Sequence, residues 1–174
     1  MMEENKMREI RIEKLTLNIG AGKDAEKLEK AIKLLKSIAG QNPVKTTAKK
    51  RIPNWGLRPG LPIGCKLTIR KSRAKELIAR LLQANDNKLN ESQFDANGNV
   101  SFGISEYIDI PGVNYAPEIG IMGLEASITL DRRGYRIKRR RLLKRKIVKR
   151  HCITKDDAIG FMKNEFGVKL GETE

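Results

Sequence analysis

The chain has 174 residues, 39% of them apolar, which is enough for one domain with a hydrophobic core and an appended arm. Its 36 Lys and Arg face 21 Asp and Glu, a formal +15, with a single histidine. No run approaches the ~18 to 20 apolar residues of a membrane span, so no membrane insertion is expected; the excess charge calls for a polyanion, nucleic acid first and an acidic membrane surface second.

The opening MMEENKMREIRIEKL carries acids at once and no apolar stretch, unlike a signal peptide. Residues 12–19 alternate Leu15, Leu17 and Ile19 with Lys14, Thr16 and Asn18, the period of a half-buried strand. Gly20-Ala21-Gly22 turns the chain. Asp24 then caps a helix whose Leu28, Ile32, Leu35 and Ile38 recur every three or four residues until Gly40 stops it. Residues 44–49 read as a short strand. A loop over 51–64 follows, stiffened by Pro53, Pro59 and Pro62 into a projecting finger with Trp55 and Leu57 near its middle. That middle either folds back on the core or touches a partner.

Residues 65–70 alternate again, with Cys65, Leu67 and Ile69 opposite Lys66, Thr68 and Arg70. Ser72 is expected to cap a second helix with Ala74, Leu77, Ile78, Leu81 and Leu82 as its buried stripe. Asn97-Gly98 signals a turn. Two further strands carry Val100, Phe102 and Ile104, then Ala126, Ile128 and Leu130, joined by a Pro/Gly/Asn-rich connector. Residues 132–150 form a basic arm, with twelve Lys or Arg and no acid; outside it only 24 basic residues face 21 acidic ones. Such a cluster needs a polyanion to neutralise it. Thr154 and Asp157 make a capping pair for a last helix bearing Ala158, Phe161, Met162 and Phe166, ended by Gly167. No internal repeat is visible.

Each strand has one apolar face and one of Thr, Asn, Ser, Gly, Lys or Arg. Leu-rich helices covering the apolar face give an α+β fold with the other sheet face open, polar and basic. Asn18 and Thr68 on that face suit ribose and phosphate oxygens, and Lys66 and Arg70 flank Thr68. Almost no aromatic residue lies there, so base stacking is not its mode; backbone and shape recognition of folded RNA is.

Other chemistries fit poorly. Gly20-Ala21-Gly22-Lys23-Asp24-Ala25 matches G-x-G-x-x-A between strand and helix, yet the next strand, VKTTAKK, lacks the acid that holds a ribose, and no P-loop spacing is present. Cys65 and Cys152 make no disulfide framework, and His151 beside Cys152 falls short of four zinc ligands. No catalytic constellation is apparent, so no enzyme activity, metal or cofactor is expected.

The succession RIEKLTLNIGAG, SIAGQNPVKTTAKK and LRPGLPIGCKLTIR, then SQFDANGNVSFGI and GIMGLEASITL, closely resembles the large-subunit ribosomal protein five family over residues 8–130. The short start and the segment GYRIKRRRLLKRKIVKRH resemble its archaeal form rather than the bacterial one. The resemblance implies an antiparallel sheet and a cytoplasmic place in the ribosome's central protuberance. Its implied partners are 5S rRNA, large-subunit rRNA, P-site tRNA and neighbouring proteins, including one of the small-subunit head.

By the same resemblance Asn18 of L-N-x-G, Gln41 of G-Q-x-P and Thr68 of K-x-T-x-R correspond to a polar trio that hydrogen-bonds 5S rRNA. Lys14, Lys45, Lys49, Lys50, Lys66 and Arg70 are expected to neutralise its phosphates. Asn54, Trp55, Gly56, Leu57 and Arg58 correspond to the loop nearest tRNA, although the tip differs from the bacterial Gly-Phe type. Arg136, Lys138, Arg139, Arg140, Arg141, Lys144, Arg145 and Lys146 are expected to clamp rRNA phosphates. The competing expectations are a basic protein that coats nucleic acid without specificity, and a nucleotide-dependent enzyme.

Overall fold

The computed structural model describes residues 5–171, so the first four residues of the opening segment lie outside the described residues. Alternation over the first apolar run produces β1 (Ile10–Gly20), longer at both ends than the sequence period suggests. Helix α1 (Ala25–Ala39) begins as expected, with Asp24 Oδ1 accepting from the amides of Glu26 and Lys27 at 3.0 and 3.2 Å. It ends at Gly40, whose φ of 65° is the left-handed conformation that a side chain disfavours. Strand β2 (Val44–Thr47) is shorter than the expected 44–49, and β3 (Pro62–Ile69) starts earlier, taking in the end of the proline-rich loop.

Helix α2 (Ser72–Gln83) buries Ala74, Leu77, Ile78, Leu81 and Leu82, the expected stripe. Its cap differs. Lys71, not Ser72, holds the N-cap position, at φ 65° and ψ −150°, and no side chain bonds the free amides there. Ser72 is already the first helical residue, so its hydroxyl is past the position from which a cap reaches forward.

Strands β5 (Val100–Ile104) and β6 (Leu124–Arg132) complete a five-stranded sheet of order β2-β3-β1-β6-β5, antiparallel throughout. A second, two-stranded sheet pairs β4 (Lys88–Asn90) with β7 (Lys169–Gly171) in parallel. Neither strand has enough alternation to be read from sequence. The large sheet's inner face presents Leu15, Leu17, Leu67, Ile69, Ala126, Ile128, Val100 and Phe102 to α1 and α2, all within one buried cluster. Helix α4 (Lys155–Phe166) joins that cluster through Ala158 and Met162, while Phe161 and Phe166 are only half-buried. Its Thr154–Asp157 capping box is reciprocal, as the sequence suggests.

Candidate nucleic-acid interface

Directly opposed residues in antiparallel strands share a face, so the register fixes what the uncovered side presents. One transverse row crosses all five strands: Val44, Lys66, Asn18, Glu125 and Gly103. The next holds Thr68, Thr16, Ser127 and Ser101, with the two serine hydroxyls 2.8 Å apart. Beyond it Lys14 opposes Thr129, and Arg11 opposes Asp131. Asn18, Thr68, Lys66 and Lys14 are therefore on one surface.

The other expected site residues lie around it. Gln41, half-buried, is three residues before Val44; because Val44 pairs with Lys66, Gln41 runs along the end of β3 that bears Thr68. Arg70 is exposed just past that end. Lys49 and Lys50 are exposed at the root of the finger. Lys45 is not on the open face: it pairs with the buried Cys65 and so lies on the helix side of the edge strand.

The finger is a small hairpin. Ile52 and Leu57 exchange backbone hydrogen bonds of 3.0 and 3.1 Å around a short turn, Pro53–Trp55. Ala48 ties its root through Leu61 and Gly60, at 2.8 and 3.0 Å. Asn54, Gly56 and Arg58 are exposed, Leu57 is half-buried, and Trp55 is 67% exposed, so the tip does not fold back on the core.

The basic arm is tethered to the body at both ends. On the helix side, Arg132 is nearly buried; it donates to Asp157 at 3.0 Å and to the Cys152 carbonyl at 3.1 Å. Burial works against ionisation of Asp157, but bonds from Thr154 and the Arg132 charge outweigh it and hold its pKa below the ordinary 3.8. The Tyr135 hydroxyl accepts from the Ile153 amide at 2.9 Å and donates to the His151 carbonyl at 3.2 Å. On the open side a bulge in β1 between Ile12 and Lys14 brings Glu13 beside Asp131. Arg139, at the end of the one-turn helix α3 (Arg136–Arg139), bridges both acids, and Arg11 holds Asp131 from the other side at 2.6 Å. That contact with Asp131 raises the Arg11 pKa above its usual value.

The base of the arm thus covers the Arg11–Asp131 end of the open face. Lys138 lies 4.6 Å over the Tyr135 ring. Arg136, Arg140, Arg141, Lys144, Arg145 and Lys146 are exposed, and beside them Leu142 and Leu143 are each 77% exposed.

Two features escape sequence reading. Glu125 puts a carboxylate beside Asn18, 3.1 Å from its Nδ2, and Arg139 is engaged by acids rather than free for phosphate. Alternation in the two strands puts both Glu125 and Asn18 on the open face, but only the β1–β6 register makes them neighbours.

The arrangement is a polar face edged by cations, a finger with an exposed Trp, and a tethered basic arm. Comparison with known proteins agrees with that character. The family described as ribosomal protein L5 matches residues 5–58, and the C-terminal region of the same ribosomal family matches residues 62–160. Among similar proteins are the large ribosomal subunit protein uL5 of Nanoarchaeum equitans, 51% identical over 96% of this chain and 99% of that protein, and of Sulfurisphaera tokodaii, 47% identical over 97% and 96%. The uL5 of Methanobrevibacter smithii is 44% identical over 94% of this chain and 96% of its own length.

Proposed function

This chain belongs to the ribosomal protein L5 family, non-enzymatic proteins of the large subunit of the cytoplasmic ribosome, and we propose that it anchors 5S rRNA in the central protuberance through the open face of its sheet. The observation that carries this reading is the pairing of β1 with β3, which sets Asn18 next to Lys66 and Thr16 next to Thr68 on one uncovered surface. Asn18, Gln41 and Thr68 supply hydrogen bonds; Lys14, Lys66 and Arg70 neutralise phosphates on the face, with Lys49 and Lys50 at its margin. Lys45 acts, if the RNA wraps the β2 edge, from the side of the sheet. The finger at Asn54, Trp55, Gly56, Leu57 and Arg58 approaches P-site tRNA, the exposure of Trp55 supporting a contact role. The arm grips large-subunit rRNA, and a bridge reaches a protein of the small-subunit head.

Covering a polar side chain with RNA makes the loss of its partner costly, about 1–3 kcal/mol for an orphaned group. Asn18→Ala and Thr68→Ala should each weaken 5S rRNA binding by about ten-fold while circular dichroism stays native. Wild-type affinity of both variants in filter binding would sink the assignment. Competition separates this reading from unspecific coating: excess tRNA or duplex DNA at physiological salt should displace 5S rRNA poorly, and equal displacement would favour the coating protein.

A further inference from the structure

Glu125 is out of keeping with a phosphate-binding surface. Among the described residues, the other two acids on the open side, Glu13 and Asp131, are held by Arg11 and Arg139. Glu125 is exposed and, among the described residues, has no Lys or Arg within ion-pair distance. Its polar partner is Asn18, whose Nδ2 donates to Glu125 Oε2 at 3.1 Å. An ionised carboxylate only accepts, so the Asn18 carboxamide must turn its NH2 toward Glu125 and its oxygen away. No donor among the described residues reaches that oxygen.

Asn18 therefore offers RNA an acceptor. Phosphate oxygens cannot bond to an acceptor, whereas the ribose 2′-hydroxyl can donate to one. A-form RNA displays its 2′-hydroxyls across a wide, shallow groove that a flat sheet face can meet, and no aromatic side chain stands in the Asn18 or Thr16 row to stack on splayed bases. We propose that Glu125 is a positioning residue: it holds Asn18 with Oδ1 outward to accept a hydrogen bond from a ribose 2′-hydroxyl, so that the pair distinguishes RNA from DNA at this point of the face. The inference rests on the 5S rRNA reading given above.

The test is 5S rRNA carrying sparse random 2′-deoxynucleotides, partitioned by binding to the 174-residue protein and sequenced. With wild type, at least one position should be depleted from the bound fraction and lose its depletion in Asn18→Ala. Glu125→Ala should lose depletion at that same position and bind unmodified 5S rRNA about five-fold more weakly. Glu125→Gln, whose carboxamide can donate as well as accept and so no longer fixes which way Asn18 turns, should weaken the depletion at that position. Full depletion in Glu125→Ala at the Asn18-dependent position, or the absence of any such position, overturns the inference while leaving 5S rRNA binding intact. Failure of wild type to prefer 5S rRNA over tRNA overturns the binding reading itself, and the inference with it.

Discussion

Cys65 and Cys152 are both free thiols in opposite surroundings. Cys65 sits on the inner side of β3 with no exposure, and burial pushes its pKa up to about 11. Cys152 is exposed at the return of the arm. The thiolate is the reactive form, so burial suppresses Cys65 twice, by access and by ionisation. At pH 8 an aromatic disulfide reagent should therefore titrate one thiol rapidly in the native protein, and the second only after denaturation. Two thiols reacting at similar rates in the folded state would contradict the packing of β3. The residue before Cys65 is constrained by the same packing: a Cβ on Gly64 would lie 2.6 Å from the Ile19 carbonyl oxygen. At this scale the sequence is readable where a side chain's fate follows from strand period alone, as for Asn18, Thr68 and Lys66. It is unreadable where register decides. Lys45 looks like one more cation beside the trio, but its pairing with Cys65 turns it to the other face.

The elements with strong periods, namely β1, β5, β6, α1 and α2, are legible because each buries one continuous stripe, and α1 and α4 also signal their ends locally, through Asp24, Gly40 and Thr154. The pair β4 and β7 is not, since three-residue strands 81 positions apart become strands only by meeting. The arm belongs to the same class. Its composition announces a polyanion, yet what organises it is two inward residues, Arg132 and Tyr135, whose partners lie about twenty positions away. Tyr135→Phe isolates that contribution, because it deletes one oxygen and keeps the ring under Lys138. It leaves the amide of the buried Ile153 without its acceptor, which should cost about 1–3 kcal/mol. The expected result is a lower urea midpoint with unchanged slope and faster hydrogen exchange at Ile153. If neither the midpoint nor that exchange rate moves, Tyr135 does not close the arm.

At the scale of the whole molecule, charge and recognition are separated. The cations in 132–150 supply most of the excess charge, but Arg132, Arg133 and Arg139 are paired with Asp157, Glu9, Glu13 and Asp131. Among the described residues, charge without an ion-pair partner is concentrated further out, at Arg140, Arg141, Lys144, Arg145 and Lys146, while the open face carries its hydrogen-bonding groups between Lys14 and Lys66. An arm that adds phosphate contacts and a face that adds positioned hydrogen bonds should respond differently to salt. Each phosphate contact contributes about 0.7 to 0.9 to the fall of log K per decade of salt. Replacing the five outer cations by Gln should reduce that slope on intact large-subunit rRNA by up to about 4, in proportion to the contacts made. The preference of the same variant for 5S rRNA over tRNA should survive, because the sheet is untouched. Asn18→Ala should do the reverse, leaving the slope and eroding the preference. If the arm variant loses the preference as well, specificity resides in the arm, and the division of labour between arm and sheet is wrong.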